Sequence, residues 1–263
     1  MIISFYYVPF LYFYRTRLKG IKKLISWLCI YVVPLFLMCY PVVESLGDYL
    51  KLSLIMLVVY TLYEVGYIQN DNETTKKESN PTRRVGVSDA EYYEKNKWKI
   101  YSVRILIALA GLALLFFLGE PDSAYLLFII PVFYIYNSIR SVWNLPVHFI
   151  LVVLRFSIPV FVINSSATLF LGSLLIFPVV NLLERASEPR FGLVWFQNFQ
   201  LSDKGKGRYI YYMMVLVLLL SCIVLGGVVG WDGDVGAVKV AFFVSCYMFL
   251  YRFLSFKVAG RSL

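Results

Sequence analysis

Two short stretches of the sequence gather oxygen ligands at spacings that chemistry could use. In the first, from Tyr63 to Ser88, the residues Asn70, Asp71, Glu73 and Glu78 stand among Lys76, Lys77, Arg83 and Arg84. In the second, NLLERASEPRF from Asn181 to Phe191, a helix would make Glu184 and Glu188 i, i+4 neighbours, with Asn181 one turn earlier. Carboxylates and a carboxamide without histidine or cysteine suit a hard cation such as Mg²⁺, which prefers oxygen and keeps substrate phosphates in its shell. Nearby arginines can pair with the remaining phosphate charge through two parallel hydrogen bonds. Acidic groups alone would repel a diphosphate, and basic groups alone would not hold a metal. Together they describe a metal–diphosphate site. Either stretch by itself is more simply read as solvated loop charge. Position shifts that balance, because Asp71 and Glu184 each fall at the inner end of a long apolar run.

Composition says what must hold such a site. Of 263 residues, 60% are hydrophobic, 18% aromatic and 16% charged, and the mean hydropathy is +0.71. A soluble domain is about half apolar and about a quarter charged. The excess excludes a soluble enzyme, a disordered chain and a disulfide scaffold. It implies a single integral membrane domain over 1–263, an all-α polytopic transmembrane bundle. About 20 apolar residues cross the hydrocarbon as a helix, and eight such runs are expected, at 24–43, 49–69, 100–119, 123–139, 143–163, 167–184, 208–229 and 236–255. Counted this way, the chain resembles two four-helix halves around one central cavity, each with an acidic cluster after its second member. Residues 70–99 and 185–207 would then be loops capping that cavity.

The stretch from Met1 to Tyr14 is aromatic, short and broken by Pro9. It has no basic region before its apolar run and no small-residue cleavage site, so it does not read as a signal peptide. With Arg15, Arg17, Lys19, Lys22 and Lys23 behind it, 1–23 is expected to lie as a basic helix in the membrane interface. Lys plus Arg number 25 against 16 Asp plus Glu, a net charge of +9, and the excess falls on alternate loops. The positive-inside rule places both termini in the cytoplasm of a bacterial-type inner (plasma) membrane. No nucleic-acid partner is expected. The four cysteines lie in apolar runs without a CxxC pair, and the single His148 reads as a packed or interfacial residue.

A few charges fall within the runs. Arg155 lies near the middle of the fifth, where an unpaired charge costs at least about 2.5 kcal/mol. Two readings stand: a structural ion pair with Glu64, or an anion contact at the cavity floor, the second being preferred because intramembrane charges line polar pathways. Glu64 precedes Asp71 by two helical turns and shares its face. Arg104 is close enough to the inner end of the third run to snorkel out. Arg140, in YNSIRSVWNLPVHF from Tyr136 to Phe149, reads as an inner-face anchor or a phosphate contact.

These residues together resemble the UbiA superfamily of intramembrane prenyltransferases. The run NDNE at 70–73, followed by Glu78, NPTRR at 80–84 and then Gly86, Val87 and Ser88, is similar to the family's first acidic motif and its basic tail. Glu184 and Glu188 stand in for the aspartates of the second motif. Within the superfamily, the polyprenyl-phosphate phosphoribosyltransferases are most similar, through NPTRR and through Tyr136, Arg140, Pro146 and Arg155. The sequence departs at Thr74, where the strict motif has Asp, and in its eight runs where the family usually has nine helices.

The resemblance implies a Mg²⁺-dependent transferase with a diphosphate leaving group. Asn70, Asp71, Glu73 and Glu78 would hold one metal, with Glu184 and Glu188 at a second or orienting the donor. Asn80, Arg83, Arg84 and Asn181 would contact the diphosphate-bearing donor, and Tyr136, Arg140 and Arg155 a lipid phosphate. Donor and acceptor would be phosphoribosyl diphosphate and a polyprenyl phosphate. The alternative is prenyl transfer from a polyprenyl diphosphate to an aromatic or lipid acceptor. A transporter or lipid-binding protein without turnover is the reading from another class.

Overall fold

The computed structural model describes residues 3–77, 82, 84–199, 204–229 and 234–259. Among them the structure is helical, with no strand. In chain order the helices are α1 (Leu11–Arg17), α2 (Ile21–Trp27), α3 (Val33–Cys39), α4 (Leu46–Asn72), α5 (Val87–Phe117), α6 (Ile129–Ser138), α7 (Asn144–Asn164), α8 (Ala167–Ile176), α9 (Pro178–Ala186), α10 (Val194–Phe199), α11 (Lys204–Val229) and α12 (Val235–Ala259). Seven helical runs among the described residues are long and apolar enough to cross a membrane: Ile21–Val42, Leu46–Lys76, Val87–Phe117, Asn144–Asn164, Ala167–Ala186, Gly205–Val228 and Val235–Val258. This is a polytopic helical membrane protein. The expected run at 123–139 instead divides into a 3-10 stretch, Pro121–Phe128, followed by α6. Pro131 supplies the reason. In one continuous α-helix its ring would meet the Leu127 carbonyl from an interior position, whereas the change of helix type makes it a first-turn residue.

The chain forms two compact units, and these are not the two sequence halves. Unit 1 holds Met1–Trp27 and Ser45–Arg140; unit 2 holds Leu28–Glu44 and Ser141–Leu263. The second part of the first apolar run therefore belongs with the later helices, which corrects the expected division into two consecutive four-helix halves.

In unit 1, Ser45 caps α4 through a reciprocal bond pair with Asp48, satisfying donors that a helix start leaves open. The N-terminal segment packs against α4 and α5. Phe5, Tyr6 and Tyr12 are buried together with Ile68 of α4 and with Tyr93 and Ile100 of α5. The acidic loop is also shorter than the expected 70–99, because α4 runs to Asn72 and α5 starts at Val87. Where α6 meets α4, a Cβ on Gly66 would lie inside the Phe133 ring, and Asn137 donates to the Gly66 carbonyl at 3.1 Å. That ring is edge-on to Tyr63 and Tyr67, so it has little room to retreat. Gly66→Ala is expected to cost about 1–3 kcal/mol by overpacking, and Phe133→Leu in the same chain to restore part of it. Thermal unfolding in detergent checks this; an unchanged midpoint for Gly66→Ala would contradict the close approach.

Unit 2 is organised around prolines and the carbonyls they orphan. Before Pro34 the chain takes a π turn, Leu28–Val32, which absorbs the ring without ending the helix. Pro159, inside α7, has no N–H for the carbonyl of Arg155, one turn back. The Tyr31 hydroxyl donates to that carbonyl at 2.7 Å. The run Ala167–Ala186 is broken at Phe177, where α8 ends and Pro178 starts α9. Two carbonyls at the break, Leu175 and Ile176, accept from the hydroxyls of Tyr211 and Tyr212 on α11, each at 2.7 Å. A discontinuous helix is tolerated at membrane depth only when its freed backbone groups find such partners. α8 lies close against α12, since a Cβ on Gly172 would come within 2.8 Å of the Ala241 methyl.

Candidate functional site

Asp71 sits in the last turn of α4, the end of a helix where the macrodipole disfavours a negative charge. Its side chain is fully buried, and two arginines compensate it. Arg17 grips it with both terminal nitrogens, Nη1 to Oδ2 at 2.8 Å and Nη2 to Oδ1 at 3.0 Å, and stacks over the Tyr67 ring at 4.5 Å. Arg84 reaches Oδ1 at 3.3 Å. The Tyr12 hydroxyl donates to Oδ2 at 3.1 Å. Burial first, and the Asp71 charge second, push that phenol well above its usual range, so it stays a donor. Asn70 donates to Oδ1 at 3.3 Å. Two guanidinium groups thus share one carboxylate, and the cluster carries surplus positive charge.

Glu73, two residues on, turns elsewhere. It accepts from Lys97 at 2.8 Å and Tyr101 at 3.2 Å, and also from Tyr93, all on α5. Two turns before Asp71 on the same face, Glu64 forms a fully buried pair with Arg104. This corrects two expectations: Arg104 does not snorkel out, and Arg155 is not the partner of Glu64. Both carboxylates on this face of α4 serve α1 and the turn before it.

In unit 2 the second acidic pair also separates. Glu184 lies on α9 and binds Arg208 of α11 through Nε and, at 2.9 Å, through Nη2. Arg208 is the fifth residue of its helix. Glu188 is not an i, i+4 helical neighbour of Glu184, because α9 ends at Ala186 and Glu188 is extended, with φ −63 and ψ 133. The residue before a proline is pushed out of the α region, and Pro189 follows it. Glu188 pairs with Arg190 at 2.7 Å. Asn181 donates to the Phe177 carbonyl at 2.6 Å, closing the α8–α9 break rather than pointing to a donor. Arg155 lies over the rings of Tyr31 and Phe177, at 5.2 and 5.5 Å. Arg185 donates to Asn144 at 3.0 Å.

Of the remaining expected site residues, Tyr136 packs edge-on to Phe133 and Arg140 is exposed after α6. Glu78, Asn80 and Arg83 lie outside the described residues. Among the described residues no group of three or more His, Cys, Asp or Glu side chains is placed to hold a metal. Among the described residues the carboxylates as arranged do not fit Mg²⁺: Asp71 is saturated by arginine and tyrosine, Glu73 faces α5, and Glu184 and Glu188 each hold their own arginine. The chemistry on offer is that of arginines that share carboxylates, which is anion binding.

Arg17, Tyr12 and Arg208 are the partners that the sequence does not assign to the site. The signal for Arg17 was the helix dipole: Asp71 in a last turn demands a counter-charge. Comparison of the chain with family models, with curated proteins and with solved structures finds no match.

Proposed function

We propose that this membrane protein is a transferase of the UbiA kind that acts on a lipid phosphate, with a diphosphate as leaving group. One observation carries the reading: Arg17 and Arg84 converge on Asp71 at the end of a membrane-length helix, within the segment that resembles the family's first motif. In a transfer reaction these guanidinium groups would meet the charge that develops on the departing diphosphate, and Asp71 holds them in place until it does. The nucleophile would be an ionised phosphate oxygen of a polyprenyl phosphate, which needs no strong general base. No step is assigned to Mg²⁺, since the described carboxylates as placed do not offer it a shell.

For topology, Pro121–Phe128 and α6 together reach about 31 Å at the rises of 3-10 and α-helix, enough to cross a core of about 30 Å. Counting them as an eighth crossing puts both ends of the chain on the basic, cytoplasmic side.

The test supplies purified protein in detergent with phosphoribosyl diphosphate plus polyprenyl phosphate, and separately with polyprenyl diphosphate plus aromatic acids. Phosphoribosyl transfer is the expected product. Product from the second pair alone would move the assignment to prenyl transfer, and no product from either would overturn the reading.

A further inference from the structure

We propose that α10 is an interfacial membrane anchor: Val194 and Trp195 dip into the bilayer at the basic ends of the spans, and Phe196 fastens the helix to unit 2. α10 follows the membrane-length run Ala167–Ala186 and precedes Gly205–Val228. The segment that leads into it folds back on the helix ends. Phe191 is buried with Leu145 of α7 and Ala186 of α9, and Leu193 packs on the same cluster. Gly192, at φ 65, makes the turn between them. Phe196 lines a groove of about 740 Å³ between α9 and α11, together with Leu183 and Gly207. Leu145, Leu183, Ala186 and Gly207 each lie within one turn of the end of their helix. The run of 20 residues that ends at Ala186 reaches about 30 Å, the thickness of the hydrocarbon core. α10 is therefore held at the level where hydrocarbon gives way to headgroups.

What unit 2 leaves uncovered on α10 is apolar. Val194 is 63% exposed and Trp195 85%. Trp143, two residues before Leu145 and so at the same level, is 72% exposed. Tryptophan concentrates at this depth of a membrane, where its ring meets hydrocarbon and its N–H meets water. Arg190 and Lys206, on either side of α10 in the chain, are exposed and suit the headgroup layer. A protein partner fits less well. Two side chains offer a few hundred Å² at most, short of the roughly 800 Å² per partner of a standard protein interface. A bilayer sets no such minimum, and it already surrounds the spans before and after α10. The inference stands on unit 2 alone and does not depend on transfer at Asp71.

Fluorescence of the full chain in nanodiscs of dioleoyl phosphatidylcholine tests it, since subtracting the Trp195→Phe variant isolates the emission of Trp195 among the five tryptophans. Phosphatidylcholine brominated in the upper part of its chains is expected to quench most of that emission, and iodide in the water little of it. Quenching by iodide and not by the brominated lipid would put Trp195 in water and overturn the proposal. Shielding from both would put a second copy or another protein over α10 and overturn it equally. Trp195→Glu should speed amide exchange at residues 194–197 in nanodiscs by at least about tenfold, the equivalent of 1.4 kcal/mol, with α9 and α11 unchanged. Trp195→Phe should leave that exchange as it is. Equal exchange in Trp195→Glu and Trp195→Phe would show that contact with the bilayer does not hold the helix.

Discussion

Exchanging Arg104 for methionine will lower the stability of the chain in detergent by about 3–5 kcal/mol, the cost of removing one member of a buried ion pair. Arg104 and Glu64 are both without exposure, and neither serves only the other. Arg104 donates Nε to the Tyr6 carbonyl at 2.7 Å, and Nη2 to the carbonyls of Phe5 and Val8 at 3.2 and 3.1 Å. Glu64 accepts from the backbone N–H of Phe10 at 2.9 Å and of Phe13 at 2.6 Å. The pair therefore pins the N-terminal turn, where Phe10 is held at φ 75. Losing the arginine strands the glutamate charge and three carbonyls at once. Glu64→Gln should cost less, because its amide keeps one acceptor for the backbone. The double variant Glu64→Leu/Arg104→Leu should recover the part of the loss that comes from an unpaired charge. Thermal unfolding gives the stabilities, and hydrogen exchange at residues 5–13 locates the damage. Unchanged protection of that turn in Arg104→Met would show that the pair does not hold it.

Asp71→Asn is expected to abolish transfer and to destabilise the chain by about 3 kcal/mol, the low end of the range for a broken buried pair. The amide is the same size, so packing is kept while the charge that balances Arg17 and Arg84 is lost. The two guanidinium groups should then repel, and exchange protection should fall in α1 and around Arg84. Adding Arg17→Gln removes the excess charge and should return most of the stability without returning activity. That combination separates a positioning role from mere support of the fold. An Asp71→Asn chain with full transfer activity would remove Asp71 from the site.

What could be read from the sequence follows from how local each signal is. The apolar runs are properties of single segments, so most crossings were legible, and the shared face of Glu64 and Asp71 followed from helical periodicity alone. Pro131 and Pro189 carried local information that was not used: the first divides the run at 123–139, and the second takes Glu188 off the helix. Partner choice is a different kind of fact. Whether Glu64 meets Arg104 or Arg155 depends on which helices pack together, and nothing in either segment says so. Asp71 and Glu184 were legible as charges but not as charges already answered, because their arginines come from distant segments: Arg17 lies 54 residues from Asp71 and Arg208 lies 24 from Glu184. The packing of the N-terminal segment was not legible for the same reason. Its aromatic residues do not say which helices they meet, and the carbonyls that bind Arg104 tie the segment to α5.

The tyrosine that covers the carbonyl orphaned by Pro159 has a consequence for the order in which the molecule is completed. Tyr31 and the Arg155 carbonyl are 124 residues apart in the chain. Tyr31 lies in Leu28–Glu44, which belongs to unit 2, whereas the segment made next, Ser45–Arg140, belongs to unit 1. Synthesis from the N-terminus therefore delivers Leu28–Glu44 before the unit 2 helices it packs against exist. Its packing within unit 2 is completed only after α4, α5 and α6 are made. Its π turn and Pro34 are then features of a segment that waits for its partners, and its hydroxyl finds a carbonyl only once α7 arrives. The chain writes this segment early and packs it late.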